Sequence, residues 1–199
     1  MICADRRVFA SRDPDSRYDR FVANVRGADL LDVEAFVRET HGPVAVERVR
    51  EALGEPLRVM FRRSIREADW YPLDVLKSYL TTAKALLEPG SSDFFRREGH
   101  FAAQRRRQGP LEPMVGTPER RAHFARVVWH MFYDTGWLEV VGDSPETAFA
   151  RIHGFPASPE LCERFRGIWE GMAGGPFRAE EWRCVLRGDP YCELHLVPA

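Results

Sequence analysis

The chain contains no apolar run approaching the ~20 residues that a bilayer-spanning helix requires. Its opening stretch, Met1 to Asp19, is rich in Arg and Asp and lacks the apolar segment of a secretory signal. An excess of charge of either sign is missing as well: 29 Lys and Arg stand against 30 Asp and Glu, a net charge of −1. A dedicated nucleic-acid binder needs a basic surplus to neutralise phosphates, so that class of partner is set aside. Cysteine is scarce, and the four present (Cys3, Cys162, Cys184 and Cys192) are too few for a disulfide-stapled secreted scaffold. These absences set the expectation of a cytoplasmic protein with no membrane span. There is also no Walker-type phosphate loop, no Gly-x-Gly-x-x-Gly, no His-Glu-x-x-His and no nucleophile elbow. With nothing pointing to a catalytic set, the chain reads as a binding or sensing module rather than an enzyme.

What is present is core-forming material, 44% hydrophobic residues of which the aromatics are 12% of the chain. Residues 1–20 are polar and read as a loosely docked arm, and residues 21–199 as one α+β domain. Asp29 followed by Leu30, Leu31, Val33, Phe36 and Val37 reads as a capped helix ending at Gly42, and Pro43 opens another up to Gly54. An apolar pattern through Met60, Phe61 and Ile65 breaks at Trp70-Tyr71-Pro72. Leu73, Leu76, Leu80, Ala83 and Leu87 predict a helix from about Pro72 to Leu87. Ser92 and Asp93 start the next, which ends in the basic stretch Arg105-Arg106-Arg107. A loop at Gly109-Pro110 and Pro113 leads to a helix start at Thr117-Pro118-Glu119. From Thr135 the period changes to that of strands, around a turn at Gly142-Asp143-Ser144-Pro145. A helix opened by Ser158-Pro159-Glu160 follows, then two strands, Phe177–Leu186 and Tyr191–Val197. The expected architecture is a helical layer packed on a small antiparallel sheet.

Cys184 and Cys192 lie four residues either side of Gly188, within the turn sequence Gly188-Asp189-Pro190, so they face each other across a hairpin. Cys162 begins the helix that must cover this small sheet. A converging thiolate cluster with a carboxylate or histidine suits a tetrahedral metal ion, while buried cysteines also serve simply as core. A cross-strand disulfide is the third reading.

The run Ala179-Glu-Glu-Trp-Arg-Cys-Val-Leu-Arg-Gly-Asp-Pro-Tyr-Cys-Glu-Leu-His-Leu-Val197 resembles the ending of 4-vinyl reductase-type domains. Tyr133-Asp-Thr-Gly-Trp137, Gly154-Phe-Pro156, Cys162 and Gly167-Ile-Trp-Glu-Gly171 extend the resemblance over residues 120–199. The helical first half is similar, by spacing and length, to the related haem–NO-binding-like proteins. This resemblance implies the ligand-binding fold of bacterial sensors of aromatic compounds, in which cysteines and a glutamate hold a structural zinc beside the pocket. By position, Glu181, Cys184 and Cys192 match those ligands, and Cys162 is the candidate for the fourth. The stretch between Cys162 and Cys184 is a few residues shorter than in typical members, which leaves the reach of Cys162 open. Strand alternation places Glu180 on the face of Cys184, so Glu181 arrives there only across a bulge.

Zinc is accordingly the expected cofactor. Haem is set aside, because the Tyr-x-Ser-x-Arg propionate motif of true haem–NO sensors is absent and His123 and His130, seven apart on one helix, read as boundary residues. Trp129, Tyr133 and Trp137 are placed at a pocket for a flat apolar molecule, since they precede and enter the motif region. The function expected is small-molecule sensing with output through a partner protein, and a homodimer by analogy with the superfamily. The alternative is an oligomeric adaptor of the same fold without catalysis.

Overall fold

The computed structural model describes residues 23–109, 118–142 and 148–199. The arm expected over residues 1–20, the loop at Pro110 and Pro113 with Thr117, and most of the turn at Gly142-Asp143-Ser144-Pro145 lie outside the described residues. Glycine and proline set the helix ends where the sequence places them. Helix α1 (Gly27–His41) stops at Gly42, whose φ of 84° suits a residue without Cβ, and Pro43 pre-sets the first turn of α2 (Pro43–Ala52). The short α3 (Leu57–Arg62) is followed by α4 (Leu73–Leu87), α5 (Phe94–Gln108), α6 (Pro118–Phe132) and α7 (Pro159–Ala173).

A two-stranded ribbon escapes the periodicity. Strand β1 (Asn24–Arg26) pairs antiparallel with β2 (Trp70–Pro72), so Trp70-Tyr71-Pro72 is a strand where the sequence suggests only a break. Three residues are too few to display a period of two. Asn24 anchors the ribbon to the end of α6 by donating its backbone N–H and its side-chain amide to Asp134, both at 2.7 Å.

The main sheet is antiparallel with the order β3-β4-β6-β5, formed by β3 (Trp137–Val141), β4 (Phe149–His153), β5 (Phe177–Arg183) and β6 (Cys192–Pro198). Alternation works as expected on β4, where Ala150 and Ile152 are buried between half-exposed Phe149, Arg151 and His153. Strand β5 ends three residues before the expected Leu186. Glu181 pairs with Leu194 and Arg183 with Glu193, so Trp182 bulges out of the ladder. A 3-10 turn (Val185–Arg187) follows, and the Cys184 N–H donates to the Asp189 carboxylate at 2.8 Å.

Helices α5 and α7 touch through glycine. A Cβ on Gly99 would overlap the Arg164 carbonyl oxygen, and one on Gly167 the Arg96 carbonyl oxygen. One cluster of buried apolar side chains runs from Val33 and Phe36, through Leu76, Leu80 and Phe94, to Phe165, Ile152 and Leu194. The fold class is α+β, helices on a small antiparallel sheet, as the sequence led us to expect. Among the described residues, no helix is long and apolar enough to cross a membrane.

Candidate functional site

The helix start at Pro159, the bulge in β5 and the turn before β6 bring four side chains to one point. The Cys162 and Cys184 sulfurs lie 3.7 Å apart, and those of Cys184 and Cys192 3.8 Å apart. With a Glu181 carboxylate oxygen, the ligand atoms all fall within 4.8 Å of one another. Ordinary alternation from buried Ala179 turns Glu181 inward, and the bulge after it brings Cys184 to the same face, while Glu180 pairs outward with Arg178 at 2.6 Å. Cys162 does reach the cluster. One Glu181 oxygen is buried without a described hydrogen-bond partner, and the other accepts from Arg187 at 3.1 Å.

The three sulfurs are free thiols, well beyond the ~2.05 Å of a disulfide. Their spacing has a second meaning, since thiolates ~2.3 Å from a tetrahedral ion sit about 3.8 Å from one another. Accepting a hydrogen bond from Cys162 lowers the Cys192 thiol to about 6. Cys162, as donor to Cys192, is pushed up, and burial and the Glu181 carboxylate add to this. Burial raises Cys184 too. The geometry offers a soft, partly anionic donor set with the unpaired carboxylate oxygen as its hard member.

A few residues along α7 lies a second cluster that the sequence did not disclose. Arg164 is fully buried and donates to Glu98 at 2.6 Å, to Asp29 at 2.7 Å and to the Tyr133 hydroxyl at 2.9 Å. Arg106 pairs with Asp29 and lies 3.4 Å from Asp32. Asp29, read from the sequence as a helix cap, is thus an internal counter-ion, and Arg26 occupies the cap position. The basic stretch is likewise no free patch: Arg106 is buried, Arg105 reaches Asp32 at 3.1 Å, and Arg107 donates to the Gly171 carbonyl at 3.0 Å. Two buried guanidiniums face three carboxylates. Burial opposes ionisation of Asp29, but Arg164 and Arg106 outweigh it and hold the group at about 2. Burial wins at Glu98 and Asp32, whose carboxyls are raised.

Between α6, α7 and the sheet lies a partly open cavity of about 80 Å³, walled by Trp129, Tyr133, Leu138, Ala150, Phe165 and Leu194 among others. Arg106 reaches it, stacked over the Phe132 ring at 3.8 Å. Trp129 and Tyr133 thus both face this cavity. Trp137 does not: on β3 it points away from Leu138 and stacks on His153 at 3.9 Å on the other face. A smaller void of about 10 Å³ adjoins Cys162, Glu181 and Cys192, and shares Ile152, Phe165 and Leu194 with the larger cavity.

No family model and no curated protein matches the chain. Solved structures do. An NMR structure of an H-NOX domain from Shewanella oneidensis in its Fe(II)CO state aligns with a TM-score of 0.65, 15% identity, and coverage of 87% of this chain and 98% of that one. An unliganded Fe(II) H-NOX protein from K. algicida aligns at 0.62 with 8% identity, over 87% of this chain and 96% of that one. A third, from work on haem distortion in the H-NOX family, aligns at 0.60 with 12% identity, over 87% and 96%. The fold of this chain is that of the H-NOX domains. The haem–NO-binding-like side of the resemblance is supported at the level of fold, and the 4-vinyl reductase side is not.

The cofactor expectation is corrected by the same finding. A chain with the fold of haem domains cannot be set apart from haem because a short motif is missing, and nothing in the comparisons speaks for zinc. The apolar cavity walls have the chemistry that the faces of a macrocycle prefer. In size and ligation, however, the described lining does not fit a haem: about 80 Å³ is well below the ~300 Å³ at which drug-sized pockets begin. No described lining residue is a histidine or a cysteine. His130 is exposed on α6, and the His123 side chain lies outside what is described.

Proposed function

We propose that this chain is a small-molecule sensing module whose ligand, small and apolar or aromatic, occupies the cavity between α6, α7 and the sheet. Cys162, Glu181, Cys184 and Cys192 hold a thiophilic metal ion that fixes the start of α7 to the β5–β6 hairpin. The observation that carries the reading is the common wall of Ile152, Phe165 and Leu194, which belongs to both the cavity and the cysteine cluster. A ligand pressing on that wall works against an element tied to the hairpin, so its binding energy biases the packing of α7 on the sheet. A protein partner reads the result.

The ligand test is thermal stability with benzene, indole and haem, on the wild type and on Ala150→Leu. Ala150 is buried and lines the cavity, so leucine there fills the space. A probe at about 100 times its Kd adds about 2.7 kcal/mol to the wild type, and the variant loses that gain. Uptake of haem with a sharp Soret band in the wild type would identify haem as the occupant. Failure of every probe to raise the melting temperature would overturn the reading.

A further inference from the structure

The face of the main sheet turned away from α7 is paved with rings. Trp137 stacks on His153 at 3.9 Å and 5°, and His153 leans on Tyr191 at 5.0 Å. A second column runs from Phe149 to His195 at 4.8 Å and on to Trp182 at 3.7 Å and 14°. Arg151 joins the columns, lying over Phe149 at 4.8 Å and Tyr191 at 5.1 Å. The β5 bulge that puts Cys184 on the face of Glu181 delivers Trp182 here, and Trp182 is 61% exposed.

The charges on this face are unevenly satisfied. Glu193 holds Arg151 at 2.7 Å and His195 at 2.8 Å, Glu139 holds His153 at 3.3 Å, and Glu180 holds Arg178. Every described carboxylate of the face is thus paired. Arg126 and Arg183, both exposed, sit at opposite ends over Trp137 (4.7 Å) and Tyr191 (5.6 Å), with no carboxylate partner among the described residues. Trp, Tyr and Arg are the side chains that dominate protein interfaces.

We infer that this face docks a partner protein through an acidic segment. Carboxylates of the segment pair with Arg126 and Arg183, and an apolar side chain covers Trp182. Single-stranded nucleic acid is the competing occupant for a sheet lined with aromatics. It is disfavoured because the ring faces are spent on one another in the two stacks, which leaves few of them free for bases to stack on. The inference is independent of what fills the cavity.

The test pans a random peptide display library on the wild-type chain and measures the enriched peptides by fluorescence anisotropy. Enrichment of acidic peptides bearing an apolar residue is expected. Their affinity should fall at least tenfold in Arg183→Glu and in Trp182→Ala, and should weaken as salt rises from 50 to 500 mM. Unchanged thermal melting of both exposed-residue variants shows that the fold is kept, and Arg183→Lys should retain part of the affinity. Enrichment of neutral or basic peptides, binding indifferent to Arg183→Glu, or preferential binding of a labelled oligothymidine would each overturn the inference. So would self-association of the wild type in sedimentation that Trp182→Ala abolishes.

Discussion

Replacing Arg164 with methionine tests how far the helical layer depends on buried charge. Arg164 is fully buried, holds Glu98 and Asp29 through four hydrogen bonds, and binds Tyr133 through another. Methionine fills similar space but leaves two carboxylates facing one guanidinium fewer. Breaking a buried pair from one side costs about 3–5 kcal/mol. In a domain of this size, each kcal/mol moves the melting temperature by about 2–4 °C, so a drop of about 6–20 °C is expected at pH 7. The loss should shrink at pH 4, because Glu98, already raised by burial, then carries a proton and needs no counter-ion. The double variant Arg164→Met/Glu98→Leu should recover at least about 1 kcal/mol of the loss, the signature of direct coupling. Calorimetry at the two pH values makes both comparisons. A loss under about 1 kcal/mol at pH 7, or one that grows at pH 4, would refute the reasoning.

Other outcomes follow from the same geometry. Asp29 sits at about 2 in the folded chain against an ordinary 3.8. It contributes about 2 kcal/mol that is fully present above 3.8 and disappears as pH falls toward 2. The stability gap between wild type and Asp29→Asn, followed by urea unfolding, should therefore close over that window, and a constant gap would contradict it. Gly167→Ala drives a methyl against the Arg96 carbonyl and should cost about 1–3 kcal/mol, read as a lowered urea midpoint. Cobalt(II) added to the reduced protein should give thiolate charge-transfer absorption at one ion per chain and raise the melting temperature. Cys184→Ser should weaken both effects, and a featureless spectrum in the wild type would return these thiols to plain core packing.

Much of this fold is written locally. Gly42-Pro43, Glu88-Pro89-Gly90 and Ser158-Pro159 bound helices in the sequence as they do in the structure. The meeting of Cys184 and Cys192 is also local, since turn residues fix which positions face each other. Cys162 and Glu181 needed more: a helix packed over the hairpin, and a bulge that reverses strand parity at Trp182. Neither leaves a periodic trace. The ionic network is least legible, because Arg164 meets Asp29 across 135 residues and Glu98 across 66. A run such as Arg105-Arg106-Arg107 gives no sign that its middle member is internal. Trp137 shows the converse error, where nearness in sequence to Trp129 and Tyr133 stood in for direction, although alternation already turns Trp137 and Leu138 to opposite faces. Haem was judged on a motif, whereas the likeness to the H-NOX domains lies in the backbone fold.

The most direct test of ligand sensing is amide hydrogen exchange, measured by mass spectrometry with and without saturating benzene, on the wild type and Ala150→Leu. Sensing predicts altered protection in the wild type beyond the cavity wall, at the start of α7 and in the β5–β6 hairpin, and no change in the variant. Protection confined to residues touching the ligand, or no change in the wild type, would contradict it.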